Sequence, residues 1–133
     1  MNGFLYKLET QIEKLARAYG DVPTADAFAN RAVSRRRAID RYLWSEKDGA
    51  FVDYDWRLGA QREGLSAALA VPLYVGLASR EQAHRTARAL DSRLLAAGGV
   101  RTTEQASRQQ WDQPNGWAPL QWMAARGLVR YGE

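Results

Sequence analysis

The sequence contains no cysteine and a single histidine. Without cysteine there is no disulfide framework, no thiolate metal site and no sulfur nucleophile. One imidazole, His84, excludes a multi-histidine metal centre within the chain and leaves a single candidate for an imidazole base. No metal or cofactor is therefore expected. Proline is sparse, at four residues, and no apolar run approaches the roughly 18 residues that a membrane span requires. No membrane partner is expected. The opening residues, Met1-Asn2-Gly3-Phe4-Leu5-Tyr6-Lys7-Leu8-Glu9, lack a basic segment leading into an apolar stretch, so no signal peptide is visible. Hydrophobic residues make up 46% and charged residues 26% of the 133, which excludes disordered and collagen-like compositions. The length alone suggests one domain with a single packed core.

The net charge is +4. Its densest feature is Arg35-Arg36-Arg37, with Arg31 and Arg41 on either side. Consecutive helical residues point about 100° apart, so these do not line one stripe. They are expected to form a solvated helix face, with a phosphate-binding patch as the alternative. The aromatics lie away from the Lys/Arg run, which disfavours a nucleic-acid partner.

Periodicity predicts five helices. Over residues 3–19, Phe4, Leu5, Leu8, Ile12, Leu15, Ala16 and Tyr19 recur at spacings that share one face, and Gly20 ends the pattern. A second helix is expected over 24–43, capped by Thr24, with Ala25, Phe28, Ala32, Ile39 and Leu43 inward. The third, over 65–78, carries no charge and is expected to be buried on most sides, with Pro72 kinking it or opening its second half. The fourth begins at a capping box, Ser79-Arg80-Glu81-Gln82, and ends at Gly98-Gly99, with Ala83, Ala87, Leu90 and Leu94 as its face. The fifth, over 117–131, has Pro119 in its first turn and presents Leu120, Met123, Ala124, Leu128 and Tyr131.

The connections alternate. Those near residues 20–23 and 79 are very short, whereas 44–64 and 95–116 are long. Long loops in compact domains are uncommon and often functional. With neighbouring helices antiparallel, both would leave from the same end. An uncharged helix between Arg-rich ones suggests an inner layer flanked by an outer one. The expected fold is therefore all-α, with residues 1–133 forming about five alternating inner and outer helices of an α/α toroid. Five helices cannot close such a ring. A second copy, or the remainder of the toroid, is expected to cover the apolar faces.

The first long loop opens on a turn signal, Ser45-Glu46-Lys47-Asp48-Gly49, followed by Ala50-Phe51-Val52-Asp53-Tyr54-Asp55-Trp56, which reads as extended, with a short hairpin arm as one form it can take. In an extended strand Asp53 and Asp55 share one side. Paired carboxylates can divide acid and base duties. They can equally cap turns or bind neighbouring arginines. The second long loop is richer, because three tryptophans, at 111, 117 and 122, interleave with Gln, Asp and Asn. Tryptophan offers a broad apolar face and one N–H donor, which suits the C–H faces and hydroxyl rims of sugars. The competing reading is a wedge packed between helices. His84 is expected at the surface, and Arg101 within reach of the loop rim.

The run Gln110-Trp111-Asp112-Gln113-Pro114-Asn115-Gly116-Trp117-Ala118-Pro119 resembles the second trehalase signature, Gln-Trp-Asp-x-Pro-x-Gly-Trp-x-Pro, at every fixed position. Phe4–Glu9, Arg41–Trp44, Asp53–Trp56 and Val71–Gly76 resemble the same family in order and spacing. The resemblance implies an (α/α)6 toroid that hydrolyses the disaccharide α,α-trehalose to two glucose molecules with inversion. One carboxyl group would protonate the glycosidic oxygen and another would activate water on the opposite face. In the family the acid lies in a Trp-Asp-x-Ser-x-Arg-Trp segment upstream of the stretch matched here, and the base in a later Glu segment. Asn2 corresponds to an Asn of a family Asp-Leu-Asn stretch. The chain is thus expected to be a fragment with no catalytic residue of its own and no turnover alone. Its expected substrate-side residues are Gln110, Trp111, Asp112, Asn115 and Trp117, with Asp53 and Asp55 nearby. Trp111 is the foremost sugar contact, and Asp112 either contacts sugar or holds the loop. The alternative is a non-catalytic remnant serving as a sugar-binding or interaction module.

Overall fold

The computed structural model describes all 133 residues, which form two compact units, 1–42 and 43–133. The first is a helical hairpin of α1, Asn2–Ala18, and α2, Val22–Tyr42. Gly20, at φ 78°, supplies the left-handed residue that turns the chain. The α2 cap is Asp21 rather than Thr24, since the Asp21 carboxylate accepts the Thr24 N–H at 3.1 Å. Pro23 accordingly falls inside the first turn, where its missing N–H costs nothing.

The interior of this pair is built from small residues. Gly3, Ala25 and Ala32 are buried with Ile39, which brings the two backbones close. Much of the expected apolar face of α1 stays outside, with Phe4, Leu8, Leu15 and Tyr19 exposed. Nor is the arginine run wholly solvated. Arg35 forks onto the buried Glu9 carboxylate at 2.8 and 2.7 Å and donates to Asn2 Oδ1 at 3.0 Å. The Arg35 hydrogen bond holds the Glu9 carboxyl below its ordinary pKa.

The second unit folds its two long connections into three two-stranded antiparallel hairpins, and the extended stretch expected over 50–56 contributes strands to two of them. In the first, β1 (Trp44–Ser45) pairs with β2 (Ala50–Phe51), and the Trp44 and Phe51 rings meet edge to face at 5.0 Å. The second pairs β3 (Tyr54–Asp55) with β4 (Ala60–Gln61). The third pairs β5 (Leu95–Ala96) with β6 (Gly99–Val100). The expected third helix is shorter than its apolar pattern suggests. A 3-10 turn over Ala67–Ala70 leads into α3, Val71–Val75, with Pro72 in the first turn and Gly76 as a left-handed cap. The pattern marks burial rather than helix length, and Leu69, Leu73 and Leu77 are fully enclosed.

The capping box is present. Ser79 Oγ accepts the Gln82 N–H and Gln82 Oε1 accepts the Ser79 N–H, opening α4, Arg80–Arg93. α4 stops before Gly98-Gly99, because 95–100 turn back as a hairpin. α5, Ala118–Tyr131, begins after Trp117 with Pro119 in its first turn. Leu65, Leu69, Leu90, Leu94, Val100, Leu120 and Ala124 form the core of this unit, with Met123 packed against it. No helix is long and apolar enough to cross a membrane.

Candidate functional site

The two long connections meet along a short backbone zipper. Ser66 and Thr103 form an antiparallel bridge, Ala67 N donates to Thr102 O at 2.9 Å, and Glu104 N donates to Leu65 O at 3.1 Å. The residues that close the first connection thus pair with the middle of the second, and 105–117 continues from this seam.

The Trp-rich segment is held mainly through its backbone and its polar in-facing side chains. Asn115 O accepts both the Thr102 N–H, at 2.9 Å, and the Thr102 hydroxyl, at 3.1 Å. Gln113 N donates to Gln105 O at 2.9 Å, and Gln113 Oε1 accepts from Arg101 Nη1 at 2.7 Å. The Gln113–Pro114 bond is cis. Asp112 accepts from the Thr103 hydroxyl at 3.0 Å and from the Ser107 hydroxyl. Gln121 of α5 clamps Val100, taking its N–H at 2.9 Å and donating to its carbonyl at 2.5 Å. Gly116 lies against that clamp. A Cβ there would fall 2.7 Å from Gln121 Nε2 and 3.0 Å from Val100 O, so glycine is the residue that fits.

These anchors leave a distinct outer face. Trp111 and Trp117 stack edge to face, with ring centroids 5.1 Å apart, yet stay 48% and 41% exposed. The aromatics therefore form a platform open to solvent, not a wedge buried between helices. Gln110 and Asn115 are exposed beside them in sequence. Trp122, the third tryptophan, lies under the Arg126 guanidinium at 5.5 Å, outside the stacked pair.

Asp53 and Asp55 sit elsewhere, in an open cleft of about 450 Å³ whose walls include Gln61, Ser66, Thr103 and Gln105. Asp55 Oδ1 accepts the N–H groups of Arg57, at 2.9 Å, and Leu58, at 3.2 Å, so it holds the β3–β4 turn. Asp53 is exposed, and its carbonyl accepts the Arg62 N–H at 2.8 Å. The cleft and the Trp loop share a wall at Thr103, which lines the first and bonds Asp112 of the second.

Behind the loop lies an ionic network that sequence reasoning missed. Arg93, from the last turn of α4, forks onto Glu104 at 2.6 and 2.7 Å and reaches Asp48 of the first hairpin at 2.7 Å. Glu104 also takes the Leu65 N–H at 2.6 Å. Bonds from Arg93 hold the Glu104 and Asp48 carboxyls below their ordinary values. Nothing local in the sequence marks these residues, since they are 11 and 45 positions apart. His84 is at the surface, with Nδ1 3.1 Å from the Glu133 carboxylate.

Comparison with solved structures defines the class. Neutral trehalase Nth1 from Saccharomyces cerevisiae matches 99% of this chain with a TM-score of 0.90 at 31% identity. The five helices are therefore part of an α/α toroid. The match takes in 27% of that chain, so the present sequence spans about a quarter of the length of that relative. The trehalase family model matches residues 1–133, and the chain belongs to the trehalase family.

Proposed function

We propose that this chain supplies substrate-side structure to a glycoside hydrolase that cleaves α,α-trehalose, with inversion, to two glucose molecules. The observation that carries this reading is the loop 110–117, anchored from behind while Trp111 and Trp117 face solvent as one platform. An aromatic platform beside exposed amides matches the apolar face and hydroxyl rim of a hexose. Trp111 and Trp117 contact the sugar, and Gln110 and Asn115 address its hydroxyls. Asp112 braces the loop from behind, where both its oxygens are engaged. Asp53 lines the adjoining cleft, and Asp55 shapes it by holding its turn.

Inverting hydrolysis needs an acid and a base with room for water between them, roughly 6.5–9.5 Å apart. In this reading neither comes from residues 1–133, and the toroid's other helices cover the apolar side chains left exposed on α1 and α5. Titration calorimetry with trehalose, paired with a glucose-release assay, tests the proposal. Binding that is lost in Trp111→Ala, with no glucose released, is the expected result. Absence of binding overturns the substrate-side assignment. Turnover abolished by Asp53→Asn overturns the placement of the catalytic pair. In sedimentation, the exposed apolar faces should make the chain self-associate as concentration rises, and a strict monomer would count against their need for a cover.

A further inference from the structure

Arg101 stands at the junction between α4 and the Trp loop. Its backbone N–H donates to Leu94 O at 2.8 Å, and Nη2 donates to Arg93 O at 2.8 Å. Nε points at the same Leu94 carbonyl at 3.4 Å. These carbonyls end α4 without helical partners of their own, and a cation there complements the negative end of the helix dipole. The remaining arm, Nη1, is committed to Gln113 Oε1 at 2.7 Å. Gln113 is two residues from Trp111, and its own N–H is tied to Gln105 O. Arg93 does not compete for these acceptors, because Glu104 and Asp48 occupy its guanidinium.

We infer that Arg101 is a positioning residue, a bracket that fixes the Trp111–Trp117 platform to the end of α4 through Gln113. The inference rests on the platform being the sugar-binding face, but its geometric half does not. A rigid fork can serve a helix end and a side-chain amide together, whereas the point charge of lysine cannot reproduce both geometries. Losing the bracket unties Gln113 from the end of α4 while the bonds to Thr102, Thr103 and Gln105 remain, so the loop shifts rather than detaches, and a small misplacement of a binding group is costly.

The test uses the whole chain carrying Arg101→Lys, Gln113→Leu or Gln113→Glu. Edge-to-face tryptophans at this distance give an exciton couplet in circular dichroism, which reads their mutual orientation directly. Arg101→Lys and Gln113→Leu are expected to lose at least half of the couplet while helical content is retained, and to weaken trehalose binding about tenfold. Gln113→Glu, whose carboxylate still accepts from the guanidinium, is expected to keep both. A role in stability alone would lower the melting temperature and leave couplet and affinity unchanged below the transition, which overturns the inference. Should Arg101→Lys not fold, the Gln113 pair decides between the two outcomes. If the unsubstituted chain binds no trehalose but loses its couplet in Gln113→Leu, the sugar reading fails and the bracket stands.

Discussion

Two residues of the second unit work against local preference. Arg108, in the Trp loop, has φ 65°, a left-handed conformation that an L-residue with a Cβ adopts at a cost of roughly 1–2 kcal/mol. Arg108→Gly removes that strain and should stabilise the chain by about 1 kcal/mol, seen as a higher melting temperature. Thr86 is fully buried on α4, and its hydroxyl has no partner. Thr86→Val replaces the hydroxyl with a methyl of nearly the same size, ending the cost of a dry, unpaired donor. A gain of about 1 kcal/mol in denaturant unfolding is expected, whereas a loss would show the hydroxyl to be satisfied in solution. Neither residue stands out in the sequence, because strain and orphaned groups depend on what the rest of the chain places around them.

At the scale of elements, the helices that pack by close approach are the sensitive ones. Gly127 of α5 faces α3, where a Cβ would lie 3.0 Å from both Leu73 Cβ and Tyr74 N and 3.3 Å from Ala70 O. Two of those three neighbours are backbone and cannot rotate away. Gly127→Ala should force the helices apart and destabilise the chain by about 1–3 kcal/mol, measured by urea unfolding. The positions of α4 and α5 were legible in advance, since their signals are local: a capping box at Ser79 and Gln82, a proline in the first turn, and apolar faces of which Ala83, Leu90, Leu120 and Ala124 become buried. The extent of α3 was not. An uncharged stretch of fourteen residues carries the same pattern whether it is one helix or a 3-10 turn followed by a five-residue helix. Of the hairpins, only the first was legible, in the turn signal at 45–49 and the extended stretch after it; the third was hidden, because strands of two residues are too short to show alternation.

At the scale of the whole molecule, stability is linked to acid through its carboxylates. Glu9, Asp48 and Glu104 have folded pKa values lowered from 4.5, 3.8 and 4.5 by bonds from arginine. A lowered folded pKa means that the contribution is present above the unfolded value and is lost as pH falls through the folded one. Unfolding midpoints should therefore hold steady near neutrality and drop below about pH 4.5. Glu104→Gln should lower stability at pH 7 and flatten that acid slope. An unchanged slope would remove the Arg93–Glu104 pair from the linkage, as its partly exposed setting allows for only a modest share.

Sequence alone determined the mainly helical class, the order of the five helices, and the ten-residue motif by which the chain resembles the trehalases. Each of these is written in contiguous residues whose spacing or chemistry acts over one or two turns. Only the tertiary structure decided which motif residues face solvent and which hold the loop. Asp112 and Gln113 turn toward Thr103 and Arg101, leaving Trp111 and Trp117 outside. It likewise decided that Asp53 and Asp55 line a cleft that adjoins the Trp loop at Thr103, and that Arg35 is paired with Glu9. The reason is physical: such choices depend on partners distant in sequence, which meet only when the backbone zipper at Ser66 and Thr103 and the helical hairpin at Gly20 have closed.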